Sequence, residues 1–397
     1  MRRIKQWDFT PLFLVAAMLT CWGVLHALLG SSFFGSTPYN TYTLQAMAWR
    51  DGSLHLPHDY SYLELAVFEG NYYVSFPPLP SLVLLPLTFI FGYDTPDNLL
   101  VKLYALAACL LMYRALRRAE YGRASAALLA FLMCMASSLL PLTLSGAVWY
   151  HAQALAFFLM IASIACLCED KPTPCLLCYA LSVACRPFHA LYALPLFTAY
   201  LWLNHQAGVP LRRTIKRLLP GIAAGVCVAA ALAAYNYARF GDVLEFGHNY
   251  LPEFSTQGGV QFSAAHILRN AKTFIWGLPI ASNGGKWSLQ SFGYSVFFAC
   301  PALLLMLIWF AMDIVKRRVT PVKTSVVLAF LAHFALLLTH RTFGGYQLGA
   351  RYCVDLIPYA FFYLMLRSDK RHIHPAEAAL LIAVFLFTCY GVTQIHI

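Results

Sequence analysis

Long uninterrupted apolar runs recur along the whole chain, and they limit how it can fold more than any other feature. The first, residues 11–29, is long enough to cross the roughly 30 Å hydrocarbon core of a bilayer as a helix. Of the 397 residues, 60% are hydrophobic and 11% are charged, which excludes an ordinary soluble domain of this length. The runs are continuous and do not alternate with period two, which excludes a β-barrel. The sequence therefore predicts an all-α polytopic membrane protein.

Basic residues are concentrated in a few short segments. Nineteen of the 28 Lys and Arg residues fall in six places, namely residues 2–5, 114–123, 171, 212–217, 316–323 and 367–371. If these segments face the cytoplasm, they follow the positive-inside rule that orients membrane helices. The net charge of +11 then reflects topology, so we expect membrane lipids as partners and no nucleic acid.

Alternation of helices between these basic segments predicts about eleven transmembrane helices, with the N-terminus in the cytoplasm. Helices 1 to 3 are placed at 11–29, 98–116 and 124–142, and helix 4 runs from the turn at 144–153 to Cys168. Helices 5 and 6 share residues 175–203, with a turn near 184–189. Helices 7 to 11 are placed at 219–237, 291–315, 324–340, 353–366 and 376–392. Two further segments, 39–49 and 77–92, are predicted as interfacial or re-entrant helices on the outer face. The chain is thus one domain, 1–397, with long outer loops at 30–97 and 238–290.

The first outer loop carries the most informative polar stretch, residues 51–80, which contains Asp51, Asp59, Glu64 and Glu69. Connections between helices are usually short, so a long loop with several carboxylates at the membrane boundary indicates a chemical site. In the predicted topology ten of the 17 acidic residues lie on the outer face, together with Arg186, Arg239, Arg341 and Arg351. Ionisable residues at the edges of apolar helices are costly and tend to mark function.

Four outer-face residues have side chains suited to group transfer, and each has a simpler alternative. Glu64 is suited to act as a general base, or it is a solvated loop charge. Arg351 follows three glycines in GGYQLGARY, and its guanidinium suits a phosphate; the alternative is a cation that snorkels to the interface. Arg186 offers the same phosphate chemistry or a structural role in its Arg-Pro turn. His151 is placed to contact an acceptor or a phosphate, or it belongs to an interfacial aromatic belt.

Four of the twelve cysteines cluster in CLCEDKPTPCLLC, at positions 166, 168, 175 and 178. The spacing resembles a zinc site, but both pairs lie at helix ends that flank a short cytoplasmic turn. We assign no metal to them.

The chain resembles the GT-C superfamily of membrane glycosyltransferases, which includes protein O-mannosyltransferases, aminoarabinose transferases and oligosaccharyltransferases. The resemblance rests on four blocks that occur in the family's order, namely EGNYYVSFPPLPSLVLLP at 69–86, ACRPFHALYALP at 184–195, YNYARFGDVLEFG at 235–247 and GGYQLGARYCVDLIP at 344–358. The likeness is to uncharacterised bacterial members and spans most of the chain.

The resemblance implies a polyprenyl-phosphate-linked sugar as donor and an acceptor, whether lipid, glycan or protein, that approaches from the outer face. We expect no cofactor. The resemblance also implies an outer-loop carboxylate as catalytic base, either Glu64 or Asp59, because Asn40 stands where many relatives have an acid after the first helix. Basic residues would lie near the lipid phosphate, and the motif tyrosines Tyr72, Tyr73 and Tyr352 are candidate substrate-binding residues. His151 stands where some relatives have a second acid, so no metal-bound mechanism is implied.

The leading interpretation is an inverting glycosyltransferase in the bacterial cytoplasmic membrane, with its active site on the outer face. The alternative is a non-enzymatic transporter or flippase of lipid-linked glycans. A transporter would be expected to have internal repeats and charges near the bilayer midplane, whereas this sequence places its charges at the outer boundary.

Overall fold

The computed structural model describes residues 8–255, 260–283, 286–367 and 372–395. Its α-helices are α1 Thr10–Leu29, α2 Thr41–Arg50, α3 Leu79–Phe91, α4 Asp97–Arg118, α5 Arg123–Met135, α6 Leu139–Leu142, α7 Val148–Cys168, α8 Pro172–Cys185, α9 Ala193–Gln206, α10 Leu211–Phe240, α11 Pro252–Ser255, α12 Ile267–Trp276, α13 Val296–Ala299, α14 Pro301–Val315, α15 Pro321–Leu338, α16 Ile357–Met365 and α17 Pro375–Gln394. Two antiparallel hairpins pair β1 Leu65–Phe68 with β2 Asn71–Val74 and β3 Ile280–Asn283 with β4 Lys286–Leu289.

The all-α membrane architecture is confirmed. Within the described ranges, six helices (α1, α4, α7, α10, α15 and α17) are long and apolar enough to cross a membrane. Shorter apolar helices occur at Leu79–Asp94, Arg123–Met135, Pro172–Cys185 and Pro301–Val315. Each of the eleven segments expected to span the membrane contains helix, and the two expected interfacial segments form α2 and α3. The eighth segment, expected from 291, becomes helical only at Val296, and the tenth, expected from 353, is a 3₁₀ helix before α16. The chain is a multi-pass helical bundle.

Two of the expected helices are interrupted by local side-chain chemistry. The third ends at Met135, and Ser137 then donates to the Cys134 carbonyl and accepts from the Leu139 amide, which offers the backbone an alternative to the helical ladder. The eighth breaks at Cys300, which has φ −140° and ψ 73°. Cys300 precedes Pro301, and a residue before proline is disfavoured in the helical region.

The seventh helix is longer than expected. Helix α10 has 30 residues and continues through Pro220, whereas the sequence suggested a basic loop at 212–217 and a helix beginning at 219. The basic residues therefore extend the helix beyond its apolar part. Gly221 allows α10 to lie close to α8, because a Cβ there would approach Leu176 to 2.9 Å. Such small residues permit close approach of membrane helices.

The two ends of the bundle differ in charge. At one end, Glu169 follows α7 and forms ion pairs with Arg114, Arg118 and Lys171. Arg217 of α10 pairs with Asp170 at the same end. The opposite end carries α2, the β1–β2 hairpin and the segments at 241–255, 260–263 and 339–351. Because most acids expected on the outer face lie there, the polar site is built at that end.

Candidate functional site

The β1–β2 hairpin fixes the position of Glu64. Leu65, the next residue, pairs with Val74, and the turn uses Glu69 and Gly70 at φ 49° and 77°, a conformation that glycine adopts without strain. The buried guanidinium of Arg239, at the end of α10, donates to the Val74 carbonyl at 2.8 Å. The hairpin is therefore attached to the longest helix of the bundle immediately beside Glu64.

The glycine-rich segment before the 3₁₀ turn Arg351–Leu356 shapes the surroundings of Arg351. Gln347 accepts from the Arg351 amide at 2.6 Å and donates to the Phe343 carbonyl at 2.9 Å. Gly344 has φ +109°, and a Cβ there would approach the Arg351 Nε to 2.9 Å. Glycine at this position thus leaves room for the arginine side chain.

The Arg351 guanidinium lies over two aromatic rings, with its Cζ 5.6 Å from the Tyr150 centroid and 5.3 Å from the Tyr352 centroid. Its buried Nε has no hydrogen-bond partner within the described ranges. A buried donor without a partner is costly, and the cation–π contacts with the two rings are what the structure offers this guanidinium.

A polar chamber of about 440 Å³ brings Glu64 and Arg351 together. Its charged lining residues are Glu64, Glu253, Arg341 and Arg351, and its aromatic lining residues are Tyr39, Phe76, Trp149, Tyr150, Tyr346 and Tyr352. Trp149 donates from Nε1 to Glu64 Oε2 at 3.0 Å and packs 5.2 Å from the Tyr39 ring. The chamber thus contains carboxylates and guanidinium groups within one water-accessible space.

A second chamber of about 330 Å³ adjoins the first and is lined by Arg186. The two chambers share the lining residues Phe76, His248, Gln261, His340 and Tyr352. The Arg186 Cζ lies 5.1 Å from the Tyr352 centroid, so one tyrosine ring contacts both arginines. Apolar groups predominate elsewhere in this chamber, including Pro187, Phe188, Leu244, Phe246 and Phe262.

The buried carboxylate of Asp355 binds the Arg186 guanidinium. Its Nε and one terminal nitrogen donate to Asp355 Oδ2 at 2.9 and 2.7 Å. The other oxygen of Asp355 has no hydrogen-bond partner within the described ranges and lies 3.6 Å from the Nε2 of the buried His189. The pair fixes the orientation of Arg186 and offsets much of its charge.

The histidines that separate the chambers are neutral at ordinary pH. Burial lowers the pKa of His248 to about 4 and the pKa of His340 to about 3. Burial, followed by the nearby charge of Glu64, raises the pKa of Glu253 above its usual value. The fixed charges that a ligand would meet are therefore carboxylates and guanidinium groups.

The structure brings together some of the residues expected from sequence and separates others. Glu64, Arg351 and Tyr352 line the polar chamber, and Arg186 and Tyr352 line the second one. Asp59 is exposed and lines neither.

The other three expected residues lie in packed surroundings. His151 is fully buried and lies 3.3 Å from the Tyr104 hydroxyl. Tyr72 and Tyr73 belong to β2, where Tyr72 packs with Leu56 and Leu65 and Tyr73 packs against Phe240. None of the three lines either chamber, and a contact of any of them with substrate stays a prediction.

Several lining residues were not singled out as site residues from sequence, namely Tyr39, Trp149, His248, Glu253, His340 and Arg341. They come from irregular segments or helix ends, where no periodicity indicates direction. One available signal was the run HRTFGG at 340–345, since it places a cation and a histidine just before the glycines that precede Arg351.

In the part of the chain that the structure describes, no group of three or more His, Cys, Asp or Glu side chains is arranged to hold a metal ion.

Comparison with solved structures reveals the architecture. The chain superposes on ArnT from Cupriavidus metallidurans bound to undecaprenyl phosphate, with a TM-score of 0.55, 16% identity and coverage of 96% of this chain and 64% of that one. It also superposes on the oligosaccharyltransferase AglB from Archaeoglobus fulgidus in complex with an inhibitory peptide and a dolichol-phosphate, with a TM-score of 0.54, 12% identity and coverage of 98% and 56%. The chain has the GT-C fold.

The chain spans between about half and two thirds of the length of these two proteins. No protein-family model and no curated protein matches it in sequence.

Proposed function

We propose that this GT-C protein is an inverting glycosyltransferase that moves a sugar from a polyprenyl-phosphate carrier to an acceptor hydroxyl. The observation that carries the proposal is the shared chamber of Glu64 and Arg351, which adjoins a largely apolar chamber containing Arg186. Transfer from a lipid phosphate needs a base for the acceptor and cations for the departing phosphate. Both groups are present at one end of the bundle.

The structural neighbours support a lipid-linked donor. ArnT was solved with undecaprenyl phosphate and AglB with a dolichol-phosphate. For the present chain, the apolar second chamber would receive the first part of the lipid, and the sugar would lie in the polar chamber. The acceptor, whether lipid, glycan or protein, would enter the polar chamber from the water side.

The proposed reaction is a single displacement. The acceptor oxygen forms a bond to the anomeric carbon as the bond from that carbon to the phosphate oxygen breaks. The acceptor proton passes to the Glu64 carboxylate, and the electron pair of the broken bond remains on the phosphate. Arg351 stabilises that negative charge, and Arg186, already paired with Asp355, contributes to a smaller extent.

Glu64 is the better candidate for the base among the acids of the first outer loop. Asp59 is exposed outside both chambers, whereas Glu64 lines the polar chamber and accepts a hydrogen bond from Trp149. Glu253 is a competitor in the same chamber. Its raised pKa would suit proton acceptance near neutral pH, so the preference for Glu64 rests on its place beside the hairpin and its hydrogen bond from Trp149.

The basic end of the bundle would face the cytoplasm of a bacterium, in keeping with the positive-inside rule. The site would then lie at the outer face of the cytoplasmic membrane, where lipid-linked sugars are available and nucleotide sugars are scarce.

The test is a comparison of glycolipids and carriers from cells with the gene, without it, and with the Glu64→Gln variant. We expect loss of one sugar modification and accumulation of a polyprenyl-phosphate sugar in the second and third strains. As the matched control, the Asp59→Asn variant should restore the sugar modification to the strain that lacks the gene. Unchanged glycans and carriers in the deletion strain would refute the enzyme. A change in the deletion strain that the Glu64→Gln variant fully restores would favour the flippase alternative.

A further inference from the structure

The segment between Glu253 and Asp313 has an unusual charge pattern. It contains no Asp or Glu, yet it contains Arg269, Lys272 and Lys286. It lies at the end of the bundle that carries the polar chamber, because Asn270 of α12 donates to the Leu338 and His340 carbonyls at 2.8 and 2.7 Å. This end is opposite the basic loops, so the positive-inside rule does not account for these three cations.

Helix α12 presents an exposed stripe that mixes apolar and basic residues. Leu268, Lys272 and Trp276 follow one another at intervals of four, and the outer two are 82% and 70% exposed. The opposite face buries Asn270 and Phe274. A helix with large apolar side chains beside lysine on its free face is typical of elements that lie in a membrane interface.

The β3–β4 hairpin adjoins the end of α12 and is also exposed. It follows α12 after the short link Gly277–Leu278–Pro279, and it exposes Lys286 together with Trp287, which is 76% exposed. We call Leu268, Lys272, Trp276, Lys286 and Trp287 the basic-aromatic surface. Tryptophan is favoured at the level of lipid headgroups, where its ring is partly apolar and its N–H is hydrated.

We propose that the basic-aromatic surface binds the headgroups of anionic phospholipids in the leaflet on the chamber side. Each basic residue near an anionic membrane surface contributes about a fivefold gain in binding, and the exposed apolar side chains would enter the boundary between headgroups and acyl chains. Because this segment has no acidic residue, it contains no negative charge that would repel the lipid phosphates. The proposal does not depend on the proposed reaction.

The surface is also joined to the segment that shapes the polar chamber. Arg269 donates to the Arg341 carbonyl. Just beyond the hairpin, the backbone N–H of Gln347 donates a hydrogen bond to the Ser291 carbonyl at 2.8 Å. Lipid bound at the basic-aromatic surface therefore holds the loop that carries Arg351 against the membrane.

The test places the photo-crosslinking residue p-benzoylphenylalanine at Trp287 in the full-length protein. The protein is reconstituted in vesicles of equal parts phosphatidylglycerol and phosphatidylcholine, irradiated and analysed by mass spectrometry. We expect lipid adducts with about fivefold enrichment of phosphatidylglycerol. The double variant Lys272→Gln, Lys286→Gln should reduce the adducts to the mixing ratio.

A matched pair of substitutions at the other end, Arg212→Gln with Lys216→Gln, removes the same charge and should leave the enrichment at Trp287 unchanged. Equal adducts with both lipids in the parent protein would refute the proposal. An enrichment that survives the loss of both lysines would also refute it, as would a crosslinked second copy without lipid adduct.

Discussion

Replacement of Glu64 by glutamine is the most direct test of the site. The glutamine amide oxygen can accept the Trp149 N–H bond that Glu64 accepts at 3.0 Å, so the side chain keeps its shape and its principal contact. What is lost in the folded state is the charge assistance of one hydrogen bond, about 1 kcal/mol or less at this exposed position. The variant should therefore fold and insert as the parent does.

The effect on turnover should be far larger than the effect on stability. An amide cannot take the acceptor proton, and loss of a general base costs about 10²–10⁴ in rate, equivalent to about 3–5 kcal/mol of activation free energy. Because the base acts in the transition state, donor affinity should remain near normal. Initial rates measured with a synthetic polyprenyl-phosphate sugar, together with donor binding, separate these effects.

The outcome distinguishes between the acids. Asp59→Asn should have nearly normal activity, because Asp59 lies outside both chambers. Normal transfer by Glu64→Gln with loss in Glu253→Gln would transfer the role to Glu253. Normal transfer in both chamber variants would show that neither carboxylate of the polar chamber is the base.

Four further outcomes are expected. Arg351→Ala should raise the donor KM and lower kcat by about 10²–10³, because the phosphate is present in both the ground and transition states; an unchanged KM in steady-state kinetics would contradict this. Asp355→Asn should lower the free energy of unfolding by up to about 3 kcal/mol, since it leaves Arg186 without its buried partner, and a melting temperature equal to the parent's would argue against the pair. The pKa of His340 is about 6.5 in the unfolded chain and about 3 in the folded one, so between these values the unfolded chain binds more protons. The free energy of unfolding should therefore fall as the pH drops below 6.5 and level off above 7. His340→Gln should reduce this pH dependence in thermal melts. In a cysteine-free background, Ser53→Cys should react with an impermeant thiol reagent in intact cells and Arg213→Cys should not, and equal labelling would reverse or invalidate the proposed orientation.

The helical architecture could be predicted because membrane burial imposes a strong pattern. A run such as 11–29 must form its backbone hydrogen bonds internally in lipid, so its helical structure follows from composition alone. The breaks at Ser137 and Cys300 were harder to predict, since they depend on two hydrogen bonds of one serine hydroxyl and on one residue before proline. The continuation of α10 through Pro220 was not predicted, because proline usually marks the start of a helix.

The site could be predicted only in part. Glu64 and Arg351, which line one chamber, could be proposed from the sequence because a carboxylate in a long outer loop and an arginine after three glycines are local signals. Tyr72 and Tyr73 lie in packing contacts of the hairpin and outside both chambers, and their contact with substrate stays a prediction. Glu253 and His340 reach the polar chamber from irregular backbone, and nothing in a single sequence specifies the direction of such side chains.

The length of α10 connects the hairpin that carries Glu64 to the thickness of the bilayer. At 1.5 Å per residue its 30 residues measure about 45 Å. The basic residues at 212–217 lie beyond its apolar part, and that part, residues 219–237, measures about 30 Å, close to the thickness of the hydrocarbon core. In a thinner bilayer an apolar stretch of this length tilts or thickens the membrane around it, and the end of α10 away from the basic residues holds β2 through Arg239 and the Val74 carbonyl. A change in tilt would therefore move Glu64 relative to Arg351, which gives transfer an optimum in acyl-chain length that purification in a single detergent would conceal.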